Sequence, residues 1–350
     1  MILPDSCRTM TSPCGDCLIF KVPSSWQWDL CADGYMIVTS AGVSNPGIFP
    51  HRSAPLSGRM PMKTVRAPVL AGSWYPADAG RLAAGVDRWL AAADPAQKPA
   101  GRPWLAVAPH AGHAYSGPVA GKLFGLLRAH RPDTIFLLAP NHRMPLREIA
   151  LSGADAFGTP LGRVPVDRAA GDRLADHDGF LVCDEAHRAE HAVEILLPFI
   201  QRTWPEDTPP IVPMLVPGAE PAVLARNARA LREVAGPRDL LLVSSDFTHY
   251  GDAFGYVPFH EDIPMALERL DAGAILKILA GDAPGLQEYG RETGITMCGL
   301  PACCVALGDG PPSGHEAALL DYARSGDRDG DYSLSVSYAA ILMSRGQERP

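Results

Sequence analysis

Three histidines each follow a short apolar run with the composition of a β-strand. His110 follows the run that begins at residue 105, His142 the run that begins at 135, and His249 the run that begins at 240. In an α/β protein the carboxyl ends of parallel strands meet at one edge of the sheet, where ligands bind. Imidazole is the commonest side-chain ligand for transition metals. The pattern therefore predicts a metal site at this edge, and an enzyme is the first hypothesis.

The neighbours of the first two histidines are polar or small. His113 lies three positions after His110 in a glycine-containing loop, so the spacing allows both rings to face one pocket. Asn141 precedes His142 and is a candidate for orienting its ring. Arg143 follows and is suited to pairing with an anion, with a solvated surface arginine as the alternative.

Asp246 lies three positions before His249, a spacing that lets a carboxylate orient an imidazole. A histidine that titrates near neutral pH is suited to general acid–base catalysis. The alternative interpretation is that Asp246 caps a turn and that His249 is its solvated neighbour.

The segment Glu-His-Ala-Val-Glu at residues 190–194 is predicted to open a helix that continues to residue 204. Glu190 then suits the positive end of the helix dipole, while His191 and Glu194 share one face and are candidates for supporting a ligand or contacting a substrate. His187 is expected at the surface.

Cys298 stands just before another apolar helical run. A helix N-terminus lowers the pKa of a thiol, which favours a thiolate ligand or nucleophile. Cys303 and Cys304 fall inside the run and are expected to be small buried side chains. By spacing alone, Cys298 would also be expected to be a small buried side chain.

Alternating strands and helices predict the architecture that must position these residues. Strands are expected at 104–108, 134–139, 148–152, 211–216, 239–245 and 333–343, and helices at 81–92, from the loop after 117 to 130, and at 193–204, 221–234 and 264–280. This alternation favours an α/β fold, with one domain and a central, mixed, largely parallel sheet flanked by helices on both faces.

Residues 1–62 have a different character from residues 63–346, which are expected to form the domain. The first segment is rich in proline, serine and glycine and shows no periodic apolar face. It contains Cys14 and Cys17 in a C-x-x-C motif, but a zinc knuckle needs a second close pair. We expect a disordered extension, or a true start at Met60 or Met62.

The composition and charge of the chain argue against several classes of binding partner and location. The formal net charge of the 350-residue chain is −8, which argues against nucleic acid as a partner. No apolar run is long enough to suggest a membrane span, and the first residues do not resemble a secretory signal. The eight cysteines are irregularly spaced, so we expect reduced thiols and a cytoplasmic location.

Taken together, the motifs resemble those of the Memo family, also called AmmeMemoRadiSam system protein B. The matching segments lie in the family's order, at residues 65–76, 109–117, 138–142, 190–194 with 197–199, 244–251, 297–299 and 335–339. The resemblance implies the fold of the LigB-type class III extradiol dioxygenases. It also implies that His110, His142 and Cys298 are metal ligands, that His249 is the acid–base histidine of the pocket and that Asp246 is its partner.

The resemblance implies a non-haem iron or copper redox enzyme of dioxygenase-like scaffold, with zinc as the alternative metal. The dioxygenases use two histidines and a glutamate on iron, whereas a thiolate at the third position is softer and makes catechol cleavage less expected. The family name implies a pathway shared with radical SAM and AMMECR1-type proteins. The alternative function is a binding module or metal carrier, whose pocket, lined by Trp74, Tyr75, Tyr115 and Arg143, captures an aromatic or phosphorylated peptide. Metal-dependent hydrolysis is a third hypothesis, which no specific residue favours.

Overall fold

The computed structural model describes residues 28–30, 36–38, 64–328 and 330–345 of the chain. Two units are distinguished, Met1–Met60 and Pro61–Pro350. The described part of the first is an antiparallel pair of strands, β1 (Trp28–Leu30) and β2 (Met36–Val38). The rest of residues 1–62, with the predictions of a disordered extension and a later start and those about Cys14 and Cys17, lies outside the described residues.

The described strands of the second unit number twelve and belong to two sheets. They are β3 (Val65–Arg66), β4 (Arg102–Ala108), β5 (Ile135–Pro140), β6 (Ile149–Leu151), β7 (Ala156–Thr159), β8 (Gly162–Pro165), β9 (Phe180–Val182), β10 (Ile211–Val216), β11 (Leu240–Ser244), β12 (His249–Gly251), β13 (Glu316–Arg324) and β14 (Leu334–Arg345). Strands β3, β7 and β8 form the small sheet, and the other nine form the main sheet.

Helices connect and cover these strands. They are α1 (Ala79–Leu90), α2 (His113–Leu127), α3 (Arg168–Ala175), α4 (Asp184–Arg188), α5 (Leu197–Thr203), α6 (Pro221–Val234), α7 (Ile263–Leu279), α8 (Ala283–Thr293) and α9 (Leu300–Leu307). Short 3-10 turns are formed by Pro95–Gln97, Glu194–Leu196, Asp252–Phe254 and Ser325–Asp327. Within the described part of the chain, every helix is too short or too polar to cross a lipid bilayer.

The main sheet has the strand order β12-β14-β4-β11-β5-β10-β6-β9, with β13 beside β14. Its centre is parallel, since β4 pairs with β11, β11 with β5, and β5 with β10 in the same direction. The strands added on either side, β14 and β6, run antiparallel to this centre. The carboxyl ends of β4, β5, β10 and β11 therefore lie at one edge of the sheet.

The core lies on both faces of the sheet because alternate residues of a strand point to opposite sides. In β5, Ile135 and Leu137 pack with residues of α1, α2 and α5. Phe136 and Leu138 pack on the other side with residues of α3, α6, α7, α8 and α9. The predicted α/β fold, with a mixed sheet between two layers of helices, is confirmed.

Several elements of the fold were not predicted from the sequence, among them the helices α3, α4 and α8 and the strands β3, β7, β8, β9, β12 and β13. The helix expected from residue 193 begins at Leu197, so the segment Glu-His-Ala-Val-Glu lies in a loop that ends in a 3-10 turn. Strand β13 was not predicted at all, because its alanine, leucine, glutamate and arginine residues favour a helix by composition. Pairing with the long strand β14 outweighs that local preference.

Helix α2 begins directly after the loop that holds His110, and it packs closely on α1. A Cβ atom on Gly121 would lie 2.3 Å from Trp89 Cβ and 2.9 Å from the Trp89 carbonyl oxygen. Only glycine allows this approach of the two helices.

We expect Gly121→Ala to lower the free energy of unfolding by about 1–3 kcal/mol, because overpacking must push the two backbones apart. Gly85→Ala in α1 is the matched control, since its new Cβ would meet no atom within 4 Å. That control should be neutral or more stable by up to about 1 kcal/mol, as alanine favours a helix over glycine. Urea unfolding of both variants is the measurement, and equal stability of the two would contradict the packing argument.

Candidate metal centre

Three histidine rings meet at the carboxyl edge of the parallel strands. His110 follows the end of β4, His142 follows the end of β5, and His191 comes from the loop between α4 and α5. One ring nitrogen of each lies within 4.8 Å of those of the other two. His110 and His191 are buried, whereas His142 lies nearer the surface. A group of this size and composition is suited to holding one metal ion.

The hydrogen bonds of His110 determine which of its nitrogens carries the proton. Its Nδ1 lies 2.9 Å from the hydroxyl of Ser244, and that hydroxyl donates its one hydrogen to the carbonyl oxygen of Ala192 at 2.6 Å. The Ser244 oxygen must therefore accept from Nδ1–H of His110. This leaves Nε2 of His110 with a free lone pair, as metal binding requires.

Glu190 determines the protonated nitrogen of His142, as Ser244 does for His110. Oε1 of Glu190 lies 3.0 Å from Nδ1 of His142, and Oε2 accepts from the backbone amide of His142 at 2.7 Å. A carboxylate can only accept, so His142 carries its proton on Nδ1 and presents Nε2 as a lone pair. A carboxylate behind a histidine in this manner is a common support for a metal ligand.

His191 is stacked on His142, with ring centroids 4.4 Å apart, and contacts Trp74 on another side at 4.7 Å. Its Nδ1 is buried and has no hydrogen-bond partner among the described residues. Glu190 Oε1 lies 3.1 Å from that nitrogen, but in a direction that does not allow a hydrogen bond. A buried ring nitrogen without a partner fits a residue whose partner is a ligand or a metal ion.

The electrostatics of the cluster keep these side chains in the forms that bind a cation. Burial, followed by repulsion from His142, holds the pKa of His110 well below its usual range. Burial and the neighbouring His110 lower the pKa of His191 to about 3. Burial alone would raise the pKa of Glu190, but hydrogen bonds from His142 and backbone amides outweigh it and lower the pKa to about 2. Neutral imidazoles beside a carboxylate form a site that can bind a cation without first losing protons.

Cys298 approaches the same centre from the far end of the chain. Its Sγ lies 3.3 Å from Nε2 of His110 and 3.5 Å from the carbonyl oxygen of Asp246. Two ligands bound tetrahedrally at about 2.0 Å for nitrogen and 2.3 Å for sulfur would be about 3.5 Å apart. The observed separation therefore fits a metal ion shared by Cys298 and His110, whereas the group of described donor atoms that all lie within 4.8 Å of one another consists of the three histidines without Cys298.

The expectation that the N-terminus of α9 lowers the pKa of Cys298 is wrong. Burial raises the pKa of this thiol, and the carboxylate of Asp246 adds to the effect. The thiol is therefore protonated in the protein alone, and a bound cation would have to displace that proton.

Asp246 and His249 do not form the pair that their spacing suggests. Oδ1 of Asp246 accepts from the backbone amide of His110 at 2.7 Å, and burial raises the pKa of the carboxyl to about 6. Nδ1 of His249 instead donates to the carbonyl oxygens of Phe247 and Thr296, at 3.0 and 3.1 Å. Backbone carbonyls thus orient His249 and leave its Nε2 able to accept a proton.

Two further histidines have structural contacts rather than contacts with the centre. His113 does not share a pocket with His110, because its ring packs on Tyr75 and Phe199 and its Nε2 donates to the Ile195 carbonyl at 2.9 Å. The expectation that His187 lies at the surface is also wrong. It is buried, and its Nε2 donates to the carbonyl oxygen of Ala150 at 3.0 Å.

The remaining candidates are Asn141 and Arg143, which flank His142 in the sequence, and Tyr115 in the first turn of α2. The side-chain amide of Asn141 donates to the Met144 carbonyl, so Glu190 rather than Asn141 orients His142. Tyr115 is exposed, with the guanidinium of Arg328 stacked over its ring at 4.9 Å, and Arg143 is also exposed.

Sequence reasoning did not single out Ser244 or predict His191 as one of the clustered imidazoles. The one signal for Ser244 is its position as the last residue of β11, at the same edge as the histidines. Nothing local indicates His191 as a ligand, since its contacts come from strands distant in the sequence.

We expect Glu190→Gln to weaken metal binding by about 10–100-fold, because the charged acceptor behind His142 is lost. Competition with a chelator of known affinity, in wild type and variant, measures the change. Glu185→Gln is the control, since Glu185 is exposed and its one ion pair among the described residues is with Arg188. Equal metal affinity of Glu190→Gln and Glu185→Gln would show that Glu190 does not support a bound ion.

Comparison with known proteins agrees with the motif pattern. The sequence model of the family described as Memo-like protein matches residues 66–342. A MEMO1 family protein of Desulfurococcus amylolyticus is 34% identical over 289 residues, which cover 79% of this chain and 98% of that protein. A MEMO1 family protein of Methanopyrus kandleri is 33% identical over 294 residues, with 80% and 99% covered. The crystal structure of an uncharacterized protein from Escherichia coli K12 superposes with a TM-score of 0.46 at 16% identity, covering 69% of this chain and 100% of that chain.

Proposed function

Because the chain belongs to the family of Memo-like proteins, we propose that it binds one redox-active transition metal ion, iron or copper, and acts as a metal-dependent oxidoreductase. The observation that supports this most is the convergence of His110, His142 and His191, whose ring nitrogens lie within 4.8 Å of one another. Two of these rings are fixed with Nε2 unprotonated by Ser244 and Glu190.

Four side chains would hold the ion in this proposal. His110, His142 and His191 supply imidazole nitrogens, and Cys298 supplies the sulfur that lies against His110. A mixed nitrogen and sulfur set suits copper, iron or zinc better than magnesium or calcium. Bound iron or copper would supply one-electron chemistry at the edge of the sheet.

His249 and Asp246 have separate roles beside this centre. His249, held by two carbonyl oxygens, can take a proton from a substrate at Nε2 and return it later. Asp246 fixes the backbone of His110 through its carboxyl group, and its carbonyl oxygen accepts from the thiol of Cys298. His249 is therefore the proposed acid–base residue, and Asp246 is the proposed positioning residue.

A second candidate function is supported by the side chains at the mouth of the centre. The side chain of Trp74 is 36% exposed and that of Tyr115 is 51% exposed. Arg143, which follows His142 in the sequence, is also exposed. Aromatic faces beside a guanidinium suit an aromatic or phosphorylated peptide. The same pocket would then serve a non-catalytic binding module or metal carrier. The radical SAM and AMMECR1-type pathway partners stay predictions from the family resemblance.

Elemental analysis of the purified full-length chain tests metal binding. We expect about one equivalent of iron or copper per chain, and a reduced content in Cys298→Ser and in His191→Ala. If neither substitution changes the content, these side chains are not ligands. If no iron or copper binds, even after incubation with each ion, the oxidoreductase proposal fails. Binding of zinc alone would likewise exclude it.

Oxygen uptake by the metal-loaded protein tests the reaction class. A panel of catechols is the first substrate set, because the scaffold resembles that of the extradiol dioxygenases. Uptake that is lost in His249→Phe while metal content is retained would support the acid–base role. Absence of uptake across the panel, together with retained binding of a phosphotyrosine peptide, would favour the binding module.

A further inference from the structure

A second cleft lies at the opposite edge of the main sheet from the metal centre. It has a volume of about 350 Å³, at the lower end of the range for small-molecule sites. Trp104 at the start of β4 and Leu241 at the start of β11 line it, with Arg232 of α6 and Arg345 of β14. Six residues of extended chain separate Trp104 from His110, so about 20 Å separates the two sites.

Trp104, which lines this cleft, has an indole N–H group that lacks an acceptor among the described residues. The side chain is only 4% exposed, and its indole Nε1–H has no hydrogen-bond partner among the described residues. An indole nitrogen can only donate, and buried indoles usually find an acceptor. An acceptor atom that is not part of the described chain, such as one of a bound ligand, would complete this donor.

Arg345 adds a second donor of the same kind. Its Nε is buried and also has no hydrogen-bond partner among the described residues. Nε of an arginine carries part of the guanidinium charge, so leaving it unpaired and buried is unfavourable. The two buried donors without partners thus belong to side chains that line one cleft, and one of them is charged.

Arg232 gives the cleft further positive charge. Its guanidinium donates to the carbonyl oxygens of Leu307 and Gly310, at 2.5 and 2.6 Å. Carbonyl oxygens hold the group in place but do not neutralise it. Among the described residues, no carboxylate lies within ion-pair distance of either Arg232 or Arg345, although the whole chain has a net charge of −8.

One carboxylate, Asp239, also lines the cleft, but it is occupied by the backbone. Its Oδ1 accepts from the amide of Thr134 at 3.0 Å, and its Oδ2 accepts from the amide of Gly236 at 2.7 Å. Asp239 therefore closes the loop at the start of β11, and the described part of the chain supplies no counter-ion to the two guanidinium groups. The rest of the lining is apolar, formed by Leu231, Ala235, Leu241 and three prolines.

We propose that this cleft binds a small organic carboxylate, whose oxygens accept from Trp104 and Arg345 and whose apolar body packs against the leucine and proline side chains. Arginine matches the geometry of a carboxylate, and the cleft offers more positive charge than a neutral ligand would need. The site does not depend on the metal centre, because its lining residues come from the other ends of the strands.

Calorimetric titration of the full-length protein with benzoate tests the proposal, and benzamide is the neutral analogue of the same shape. We expect benzoate to bind and benzamide to bind at least about tenfold more weakly. Trp104→Phe, which keeps an aromatic ring but removes the N–H, should weaken benzoate binding by about tenfold or more. Arg345→Gln should do the same. Arg81→Gln, with the same loss of charge at an exposed position of α1, should bind like wild type.

If a variant is too unstable for calorimetry, NMR spectra of the tryptophan indole groups in the wild-type protein still test the proposal. In a ¹H–¹⁵N spectrum of wild type, the Nε1–H signal that disappears in Trp104→Phe should move downfield when benzoate is added. A second titration uses His142→Ala treated with a chelator, which removes the metal centre as a binding site, and the affinity for benzoate should be retained.

Several results would overturn the proposal. These are the absence of benzoate binding at millimolar concentration, equal binding of benzoate and benzamide, unchanged affinity in both cleft variants, or loss of binding in the chelated His142→Ala protein. Tighter binding of inorganic phosphate than of benzoate would also overturn it, since the apolar wall would then contribute nothing.

Discussion

Replacing Glu194 by alanine is expected to lower the free energy of unfolding by about 3–5 kcal/mol, the usual cost of removing one partner of a buried ion pair. Glu194 is fully buried and pairs with the guanidinium of Arg66, which is 7% exposed. It also accepts from the amide of Leu70 at 2.9 Å and from the hydroxyl of Tyr75 at 2.5 Å. The substitution leaves the Leu70 amide and the Tyr75 hydroxyl without this acceptor. It also removes the counter-ion of Arg66, whose guanidinium keeps its hydrogen bonds to the carbonyl oxygens of His187 and Glu190.

The effect should reach the metal centre as well. Glu194 joins the segment that contains Trp74 to the loop that carries His191, and Trp74 packs on the His191 ring. Loosening this connection removes a constraint on His191, so we expect weaker metal binding in the same variant. Sequence reasoning assigned Glu194 to a helix face shared with His191, and its position in the 3-10 turn instead directs it toward Arg66.

Urea unfolding measures the predicted loss of stability. The control is Glu185→Ala, which breaks an exposed ion pair and should change stability by less than about 1 kcal/mol. The double variant Arg66→Met with Glu194→Leu should recover part of the loss, because it removes both charges together but leaves the amides of Val69 and Leu70 and the hydroxyl of Tyr75 without the Glu194 acceptor. A Glu194→Ala protein as stable as the Glu185→Ala control would contradict the interpretation of Glu194 as the buried centre of this network.

Replacing His110 by alanine is expected to reduce metal affinity by more than about 100-fold, beyond the range for groups that only orient a ligand. His110 is central to the proposed donor set, because its ring lies 5.4 Å from those of both His142 and His191 and its Nε2 lies 3.3 Å from the sulfur of Cys298. Without His110, the proposed site loses the ligand that lies next to both the two other histidines and the sulfur of Cys298.

The measurement is the metal content and the dissociation constant of the refolded variant, with circular dichroism as a check on folding. His260→Ala is the matched control, since His260 is exposed and does not belong to the cluster. Metal retained by His110→Ala at the wild-type affinity would place the ion elsewhere. A loss in His260→Ala equal to that in His110→Ala would indicate nonspecific binding by histidines.

Much of the site could be predicted from single strands and the residues that follow them. His110 and His142 were predicted because an apolar strand ends just before each, and the structure brings both to the same edge. Cys298 was predicted as a ligand by resemblance, and its sulfur lies 3.3 Å from Nε2 of His110. The predictions for His113 and His187 were wrong because spacing does not determine the direction of a side chain.

The sequence by itself determined the α/β class, the edge of the sheet where His110 and His142 lie, and the family. Apolar periodicity and strand ends are local properties, so they can be read without knowing which distant residues meet. Only the tertiary structure decided the protonation and partners of the histidines. Glu190 and His142 are 48 positions apart, and Cys298 and His110 are 188 positions apart. Hydrogen bonds between such residues depend on how the strands are ordered in the sheet, and that order comes from packing across the whole domain.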